Sequence, residues 1–422
     1  MLLKLVLSCS NGDVGAVEEF TYESLPINIA GIPPATGWHF TWDSCCRNGA
    51  ISNLVLSSPT SPSEGFTLRA SMFPFYDNLG NLVPADPCFD SSPIFNESPK
   101  TIICTGYPFS YSHNASDDEL DEVYYAWDEP LDDFFGAYNP PVAPAPLPFV
   151  APYSYDNPLP GGVTLDTVTG EISYNSTTSG NFVTVVRIDA YKCDQLVAQI
   201  FREIQAVLIA CPTLSGGTNN IPPTISPPFT DPITGLPSYS TTVPAGGVIS
   251  FQIHSDDFDV YPNGEPQDVS LEITGGQMAG DFVTITDCAN PPCATFDNGA
   301  GLTPPFSNPT FVDGFFNWQT ACSHVTANAG CGNTSNLYNF AIKAYDDFCP
   351  ANGVKFATIK VTVLPLPIDI SPDIRCVSVQ ENGDVKVSWQ HISTAPPSTV
   401  YSLYHACLLY TSPSPRDRQK CR

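Results

Sequence analysis

The stretch FVTVVRIDAYKCD (182–194) places apolar residues at alternate positions and then ends in a polar segment. A period of two is typical of a half-buried β-strand. The segments YNFAIKA (338–344) and KFATIKVTV (355–363) alternate in the same way. Long amphipathic patterns with a helical period are absent, and 43 Pro and 29 Gly interrupt the chain throughout. We therefore predict an all-β fold made of β-sandwich domains.

Two long segments of the chain form an internal repeat. Each begins with a Cys and continues through FSYSHNASDD (109–118) or FQIHSDDFD (251–259). Each then closes with the related strand ends IDAYKCD (188–194) or IKAYDDFC (342–349). The repeat predicts equivalent tandem domains, and the chain is divided accordingly into domains at 1–102, 103–210 and 211–366.

Composition limits the function classes. The 422 residues contain 43 Asp plus Glu against 16 Lys plus Arg, a net charge of -27, so nucleic acid and anionic membranes are poor partners. Fifteen Cys without the spacing of a metal site predict disulfides and an oxidising, extracellular compartment. No apolar run is long enough for a membrane helix. The sequence contains no GxSxG, P-loop, dinucleotide or HExxH motif, so we expect no enzyme activity.

Both ends of the chain are expected to be incomplete. The opening MLLKLVLSCSNG (1–12) is interpreted as a first strand rather than as a lipoprotein signal ending at Cys9. Near the other end, IRCVSVQENGDVKVSWQ (374–390) resembles the opening strands of a fibronectin type III domain, with Trp389 in its core. This predicts a partial domain at 367–406. The tail CLLYTSPSPRD (407–417) resembles a translated sequencing-library adapter, so 407–422 is expected to be a read-through artefact.

Several stretches resemble a family of long secreted proteins of Bacteroidota built from tandem immunoglobulin-like domains, often with a gliding-motility-type sorting domain. They are GWHFTWDSCCRNGAISNL (37–54), the short segment at 90–95, ICTGYPFSYSHNASDDELDEVYY (103–125) and FFNWQTACSHV (315–325). The segment LPGGVTLDTVTGEIS (159–173) resembles a module of cadherin-like surface proteins. The resemblance implies export by type IX secretion, a cell-surface or extracellular location and an adhesive role.

The immunoglobulin-like fold also suggests cysteine pairs. In such a sandwich the first strand commonly runs parallel to the last, so its beginning is expected near the loop before the last strand. This predicts Cys104–Cys193 and Cys211–Cys349. Local disulfides are predicted for Cys288–Cys293 and Cys322–Cys331. The remaining N-terminal cysteines allow three connectivities, of which a vicinal bridge is the least favoured: Cys9, Cys45, Cys46 and Cys88. Cys376 is left without a partner.

Two acidic loops are candidate calcium sites, because hard carboxylate oxygens on a turn suit this ion. In the first loop Asp117, Glu119 and Asp121 alternate, as in the calcium loops of cadherin-like proteins. Leu120 stands where those loops have a glycine, which weakens the match. The candidate ligands of the second loop are Asp256, Asp257 and Asp259. The alternative is that all six are solvated acids of a very acidic protein.

Exposed aromatic rows are the remaining candidate binding feature. Tyr124, Tyr125 and Trp127 in one row, and Phe315, Phe316 and Trp318 in another, can form a platform for glycans. Alternation along a strand is more often a sign of core packing, and we favour that interpretation here. The six His are scattered singly, which favours structural roles over zinc binding.

Three functions are compared. The leading hypothesis is a non-catalytic extracellular protein, an adhesin or structural spacer whose partners are surface glycans or other extracellular proteins. The alternative is a carbohydrate-binding accessory region of a larger secreted polysaccharide-degrading enzyme. An exposed aromatic row on a sheet face favours this alternative. A third possibility, a hydrolase, requires a cleft with two opposed carboxylates.

Overall fold

A computed structural model describes most of the chain between residues 21 and 365. The exceptions are 26, 28, 30, 78, 85–89, 100–101, 133–143, 215–216 and 326–334, and four outer strands are described by their backbone alone. The expected tail at 407–422 lies outside the described residues, as do Cys9, Cys88 and Cys331.

The regular secondary structure in the described part of the chain is almost entirely β-strand, which confirms the predicted all-β class. The first half contains β1 (Leu5–Val6), β2 (Val17–Glu18), β3 (Trp38–Ser44), β4 (Phe66–Met72), β5 (Ile94–Phe95), β6 (Ile102–Cys104), β7 (Pro108–Ser112), β8 (Ala115–Ser116), β9 (Glu122–Trp127), β10 (Leu131–Asp132), β11 (Ala145–Pro146), β12 (Val163–Leu165), β13 (Glu171–Asn175), β14 (Gly180–Lys192) and β15 (Gln195–Ile209). The second half contains β16 (Thr224–Ile225), β17 (Phe229–Thr230), β18 (Pro237–Ser238), β19 (Ser240–Pro244), β20 (Val248–Asp256), β21 (Asp268–Thr274), β22 (Thr295–Asp297), β23 (Phe306–Pro309), β24 (Phe311–Gln319), β25 (Asn336–Asp346), β26 (Val354–Leu364), β27 (Asp373–Val379) and β28 (Val385–Gln390). A 3₁₀ turn spans Cys322–His324.

The first sandwich packs a three-stranded sheet against an eight-stranded one. The small sheet has the order β12-β13-β7, and the large one contains β6, β15, β14 and β9 together with β3, β4, β10 and β11. Its core is formed by alternate side chains of both sheets, among them Tyr111, Ile172, Phe182 and Leu208. These residues follow the period of two that the sequence shows.

The second sandwich repeats this arrangement. One sheet has the order β16-β20-β24-β22 and the other β19-β26-β25-β21-β23. Its core includes the fully buried rings of Phe316, Trp318 and Phe340, and the Phe316 ring meets Phe340 edge-on at 4.9 Å. Aromatic pairs in this geometry add to the apolar area that they bury.

Strand order confirms the internal repeat. The run β6-β15-β14-β9 in the first sandwich corresponds to β19-β26-β25-β21 in the second, and β12-β13-β7 corresponds to β22-β24-β20. The first strand of each run is parallel to the last strand of its sandwich, and the other neighbours are antiparallel. The described chain therefore contains two immunoglobulin-like sandwiches in tandem.

Of the described N-terminal strands, β3 and β4 join the large sheet of the first sandwich. β3 pairs with β4, and β4 pairs in turn with β15, the last strand of the first sandwich. The predicted boundary between 102 and 103 thus falls within one sheet, and the first two predicted domains share it. Patterning alone gave no sign of this, because strands that join a sheet across a long insertion have the same alternation as strands of a separate domain.

The predicted long-range disulfides are wrong. Cys104 is bonded to Cys211, not to Cys193, so the Cys211–Cys349 pair is excluded as well. The parallel pairing was correctly predicted, but β6 pairs with the end of β15, where Cys104 lies opposite Ile209. Cys193 precedes β15 and is therefore separated from Cys104 by the whole length of a 15-residue strand.

The other described cysteines give a mixed result. Cys288 is bonded to Cys293, as predicted. Cys45 and Cys46, which the sequence made the least favoured pair, are joined to each other. Cys193, Cys322 and Cys349 are each disulfide-bonded. The Cys322–Cys331 pair stays a prediction, because Cys331 lies outside the described residues.

The two sandwiches share a core where they meet. Val354 and Phe356 of β26 pack into the core of the first sandwich, where the Phe356 ring lies 5.4 Å from that of Tyr111. The Phe356 amide donates to the Ser110 hydroxyl at 2.9 Å. Tandem domains joined only by a flexible linker have few such contacts, so the pair forms one stiff unit.

Candidate functional site

The two acidic loops occupy equivalent places at one end of each sandwich. β5 pairs with β8 so that Ile94 faces Ser116, and β16 pairs with β20 so that Thr224 faces Asp256. This register makes Asp117 equivalent to Asp257. We call Asp90, Asp117, Glu119, Asp121 and Lys192 the first acidic site, and Asn220, Asp257, Asp259 and Asp346 the second acidic site.

Backbone amides fix the carboxylates of the first acidic site. The Oδ1 atom of Asp117 accepts the N–H groups of Glu119 at 3.0 Å and Asp121 at 3.2 Å. The carboxylate of Glu119 accepts the hydroxyl of Ser91 at 2.6 Å. Carboxylate oxygens of Asp90, Asp117 and Glu119 lie within 4.8 Å of one another. Asp117 and Glu119 were predicted from the sequence, but Asp90 was missed because it lies 27 residues upstream of Asp117.

A lysine supplies the positive charge of the first acidic site. The Nζ atom of Lys192, the last residue of β14, lies 2.6 and 2.8 Å from the two carboxylate oxygens of Asp121 and 3.5 Å from Asp90. Both oxygens of Asp121 are therefore committed to an ammonium group. Asp121 is not free to bind calcium in this arrangement, but Asp117 and Glu119 keep carboxylate oxygens close to Asp90, so calcium binding by the first loop stays a prediction.

Burial dominates the titration of the first acidic site. Burial, followed by the effect of Asp121, raises the pKa of Asp90 to about 9. Burial, again followed by the charge of Asp121, raises the pKa of Asp117 to about 7. Burial alone would lower the pKa of Lys192, but the Asp121 carboxylate raises it above its ordinary value. The site is a buried ion cluster in which each charge affects the titration of its neighbours.

The second acidic site has a similar but smaller set of hydrogen bonds around its loop. The Oδ1 atom of Asp257 accepts the N–H of Asp259 at 2.8 Å, and Asp259 accepts the N–H of Ile221 at 2.7 Å. Asp346, the last residue of β25, accepts the Asn220 amide at 2.7 Å and the N–H groups of Phe348 and Gly353. Burial raises the pKa of Asp346 to about 7 and that of Asp257 to about 6.

The two acidic sites differ in the charge of the residue at one equivalent strand position. Lys192 and Asp346 end equivalent strands, and each faces a residue of the segment that precedes its sandwich, Asp90 or Asn220. The first site therefore has an internal cation, whereas the second has a carboxylate and an amide. Of the predicted second-site ligands, Asp257 and Asp259 belong to this cluster. Asp256 bonds the Thr224 hydroxyl on the neighbouring strand instead.

A cavity of about 210 Å³ lies beside the first acidic site, where the two sandwiches meet. One wall comes from the loop before β9 and from the start of that strand, and it includes Asp117, Asp118, Asp121 and Glu122. The other wall comes from the second sandwich and carries amide side chains, among them Asn339. We call this the junction cavity.

The predicted aromatic platforms are only partly core, because Tyr124 is 40% exposed and lines the junction cavity. Tyr125, Phe316 and Trp318 are buried, in agreement with the interpretation that we favoured. His254, a half-buried residue, bonds Asp313 at 2.7 Å.

An exposed aromatic surface lies instead on β3, an edge strand of the described sheet. Phe40 and Trp42 project from one face of β3 and are 47% and 37% exposed. Tyr22 is 71% exposed, and its ring lies 5.5 Å from that of Trp42. We call these three residues the aromatic face. The alternation WHFTW was the available signal, but it does not show which strand face is covered.

Known proteins resemble this chain only distantly. No family model and no curated protein matches the chain. A chimeric titin Z1Z2 tandem is 13% identical over 65% of this chain and 98% of its own, with a TM-score of 0.17. The zebrafish RET cadherin-like domains 1 to 4 are 10% identical over 68% of this chain and 55% of theirs, with a TM-score of 0.16. CfaE, the adhesive subunit of CFA/I fimbria of enterotoxigenic Escherichia coli, is 10% identical over 77% of this chain and 86% of its own, with a TM-score of 0.20.

Likenesses at this level carry no argument about the chain. Its class follows from its own strand order, which defines an all-β protein with two tandem immunoglobulin-like sandwiches. Among the described residues, no helix has the length and apolar character needed to cross a membrane.

Proposed function

We propose that the chain is a non-catalytic part of an extracellular surface protein, and that it acts as an adhesin or a stiff structural spacer. The observation that carries this proposal is the shared core between the two sandwiches, centred on Phe356 and Tyr111. A stiff two-sandwich unit suits the projection or presentation of a binding surface.

The chemistry of the buried carboxylates supports a non-catalytic role. Asp121 is bound to Lys192, and Asp346 is bound to Asn220 and to two backbone amides. Perturbed carboxyl groups often mark active sites, but ion clusters that hold a structure together perturb pKa values in the same way. Here the carboxylates hold loops at strand ends.

An electrostatic argument supports extracellular partners that are neutral or basic. With a net charge of -27, the chain is expected to repel nucleic acid and anionic lipid surfaces. Its disulfides suit an oxidising compartment. Export by type IX secretion in a Bacteroidota-type cell is part of the proposal, and it rests on the resemblance described above.

Two measurements test this function. Solid-phase binding of the purified chain to extracellular proteins and glycans is expected to show adhesion without turnover. A panel of polysaccharide, ester and peptide substrates is expected to yield no product. Product release that is lost on Asp346→Asn substitution would contradict a non-catalytic role. Fractionation of source cells is expected to place the protein at the surface or in the medium.

The aromatic face favours carbohydrate binding as a second candidate function. Exposed rings that lie side by side, such as Tyr22 and Trp42, can stack against the apolar faces of sugar rings. Affinity electrophoresis in polysaccharide gels tests this directly. Trp42→Ala is expected to remove retardation, whereas Phe311→Ala, at an exposed aromatic of the second sandwich, is a matched control that leaves it unchanged. Equal retardation of both variants would exclude the aromatic face as a carbohydrate-binding surface.

A further inference from the structure

The junction cavity has an unusual charge distribution. Four carboxylate residues line it, and none of its described lining residues is Lys, Arg or His. The carboxylates are Asp117, Asp118, Asp121 and Glu122. Since low-dielectric walls strengthen the field of charges inside a cleft, such a lining attracts positive groups and excludes anions.

Two buried oxygen atoms of the lining lack hydrogen-bond partners among the described residues. Asp117 is only 6% exposed, and its Oδ2 atom has no partner, although its Oδ1 atom accepts two amides. On the opposite wall the Oδ1 atom of Asn339 is also without a partner. Buried polar atoms are normally paired, so both acceptors indicate a donor that the described part of the chain does not supply.

Hydrogen bonds across the junction hold the walls in place. The amide of Asn290 donates to the backbone oxygen of Asp118 at 2.9 Å, and the amide of Asn339 donates to that of Val168 at 3.0 Å. The amide of Asn114 donates to the Thr274 hydroxyl at 2.9 Å. The cavity is therefore a preformed site, which reduces the entropic cost of binding.

Apolar side chains complete the cavity. Leu120, Val168 and Leu337 line it together with the acidic and amide groups. A long basic side chain has a matching structure, because its methylene stem packs on apolar surface while its charged head bonds to oxygens. Lys192 already neutralises Asp121 behind this wall, but a neutral sugar would supply donors without a positive charge to offset Asp117 and Asp118.

We propose that the junction cavity binds a cationic side chain, a lysine or arginine presented by an extracellular protein partner. This inference rests on the adhesive function proposed above and names the chemistry of its partner. The ammonium or guanidinium head lies between the carboxylate wall of the first sandwich and Asn339 of the second. The stem lies along Leu120 and Leu337.

The test is a titration of the full chain at pH 8 with short blocked peptides. The probes are Ac-Gly-Lys-Gly-amide, Ac-Gly-Arg-Gly-amide and the neutral Ac-Gly-norleucine-Gly-amide, in 0.15 M salt so that long-range attraction is screened. The two basic peptides are expected to bind with a Kd on the order of 1 mM. The neutral peptide is expected to bind at least about tenfold more weakly.

Three sets of substitutions test whether the peptides bind in the junction cavity. The double substitution Asp117→Asn and Asp118→Asn is expected to weaken basic peptides about five- to tenfold. The matched control Glu129→Gln and Glu265→Gln removes two exposed acids outside the cavity and is expected to change nothing. Ala289→Arg, at the exposed rim of the cavity, is expected to abolish binding because its own guanidinium competes for the site.

Several outcomes would overturn the proposal. Equal binding of the neutral peptide would remove the charge argument, and equal weakening by the control pair would indicate general attraction to an acidic protein. Binding of neutral monosaccharides in the same titration would assign the cavity to sugars. No binding of any probe would exclude the site, while adhesion of the intact chain to extracellular proteins would still be decided by the solid-phase assay.

Discussion

Burial raises the pKa of Asp117, one of the many carboxyl groups of this very acidic protein. Asp117 is held by two amide hydrogen bonds, yet burial raises its pKa from 3.8 to about 7. A carboxyl group whose pKa is raised on folding stabilises the fold while it is protonated. That contribution is present below pH 3.8 and is lost as the pH rises through about 7.

Asp117→Asn is therefore expected to stabilise the chain at pH 8. The asparagine keeps an oxygen for both amide donors and removes a charge from a buried cluster, which gives roughly 1 kcal/mol. Because the contribution of the protonated wild-type carboxyl is complete only below pH 3.8, the difference between variant and wild type is expected to shrink as the pH falls below 7 and to be largely gone at pH 3.8. Thermal unfolding at both pH values measures this, and a difference that does not depend on pH would contradict it.

His113 is a second buried group whose titration affects stability. It is fully buried, and neither ring nitrogen has a hydrogen-bond partner among the described residues. The ring lies 5.1 Å from Tyr111 in an edge-on contact. Burial lowers its pKa from 6.5 to about 3, so folding keeps it neutral, and stability is lost as the pH falls below 6.5.

His113→Phe is expected to be tolerated or to stabilise by about 1 kcal/mol, since an apolar ring of similar shape removes two unsatisfied polar atoms. The gain is expected to be larger at pH 5 than at pH 8, the reverse of the Asp117→Asn variant. Chemical denaturation at the two pH values is the measurement. Loss of stability at pH 8 would show that water or a residue outside the described part of the chain satisfies the histidine.

At the scale of elements, the ends of β14 and β25 show how one strand position can carry opposite charges. Lys192 neutralises Asp121 and Asp90, whereas Asp346 at the equivalent position bonds Asn220. Each arrangement places a bonding partner beside the acidic residues of its own site. A change at one position without its partner leaves a buried charge uncompensated, which is costly.

Lys192→Asp is expected to convert the first acidic site into a calcium-dependent one. Without calcium, the buried carboxylates lose their cation, and the chain is expected to lose roughly 3–5 kcal/mol of stability. Millimolar calcium is expected to restore part of this, because the additional carboxylate completes a set of hard oxygen ligands. Unfolding with calcium and with chelator measures the effect.

Lys192→Met is the control for this prediction, since it removes the cation without adding a ligand and is expected to respond less to calcium. A wild-type midpoint that rises with calcium as much as that of Lys192→Asp would contradict the role given to Lys192. Calcium binding by Asp257 and Asp259 stays a prediction, and Asp257→Asn in the same experiment tests it.

The alternation of apolar residues predicted the strands. It did not predict which strand or cysteine pairs with which, because this depends on strand lengths that the alternation does not reveal. Alternation located β14, β25 and β26, and the repeat anticipated their shared order. The error in pairing Cys104 arose because the end of β15 to which β6 pairs depends on tertiary packing. The exchange of Lys192 for Asp346 was visible in the aligned strand ends, although its meaning required the contacts to Asp90 and Asn220.

At the scale of the whole molecule, the junction makes the stability of one sandwich depend on the other. Lys343 of β25 bonds Glu272 at 2.8 Å and lies 3.6 Å from Glu97, a buried residue of the first sandwich. Thr274 donates its hydroxyl to the same Glu97 carboxylate. Charged and apolar contacts therefore cross the junction together.

Phe356→Ala is expected to destabilise the chain by about 3–5 kcal/mol and to loosen the first sandwich as well as the second. Hydrogen exchange followed by mass spectrometry is expected to show faster exchange in β7, which the Phe356 ring covers through Tyr111. Phe316→Ala, a core change away from the junction, is the matched control. Equal effects of both variants on β7 would mean that the sandwiches are not coupled through Phe356.

The Cys104–Cys211 bond has a consequence for a chain that is pulled from both ends. Tension that enters through β6 crosses from Cys104 to Cys211 and bypasses the residues between them, so strands β7 to β15 of the first sandwich cannot be pulled out. In the second sandwich, β19 and β26 run parallel over five residue pairs and are loaded in shear. Their hydrogen bonds must then break together rather than one after another. Under tension, the disulfide therefore limits extension in the first sandwich, and the parallel strand pair resists it in the second.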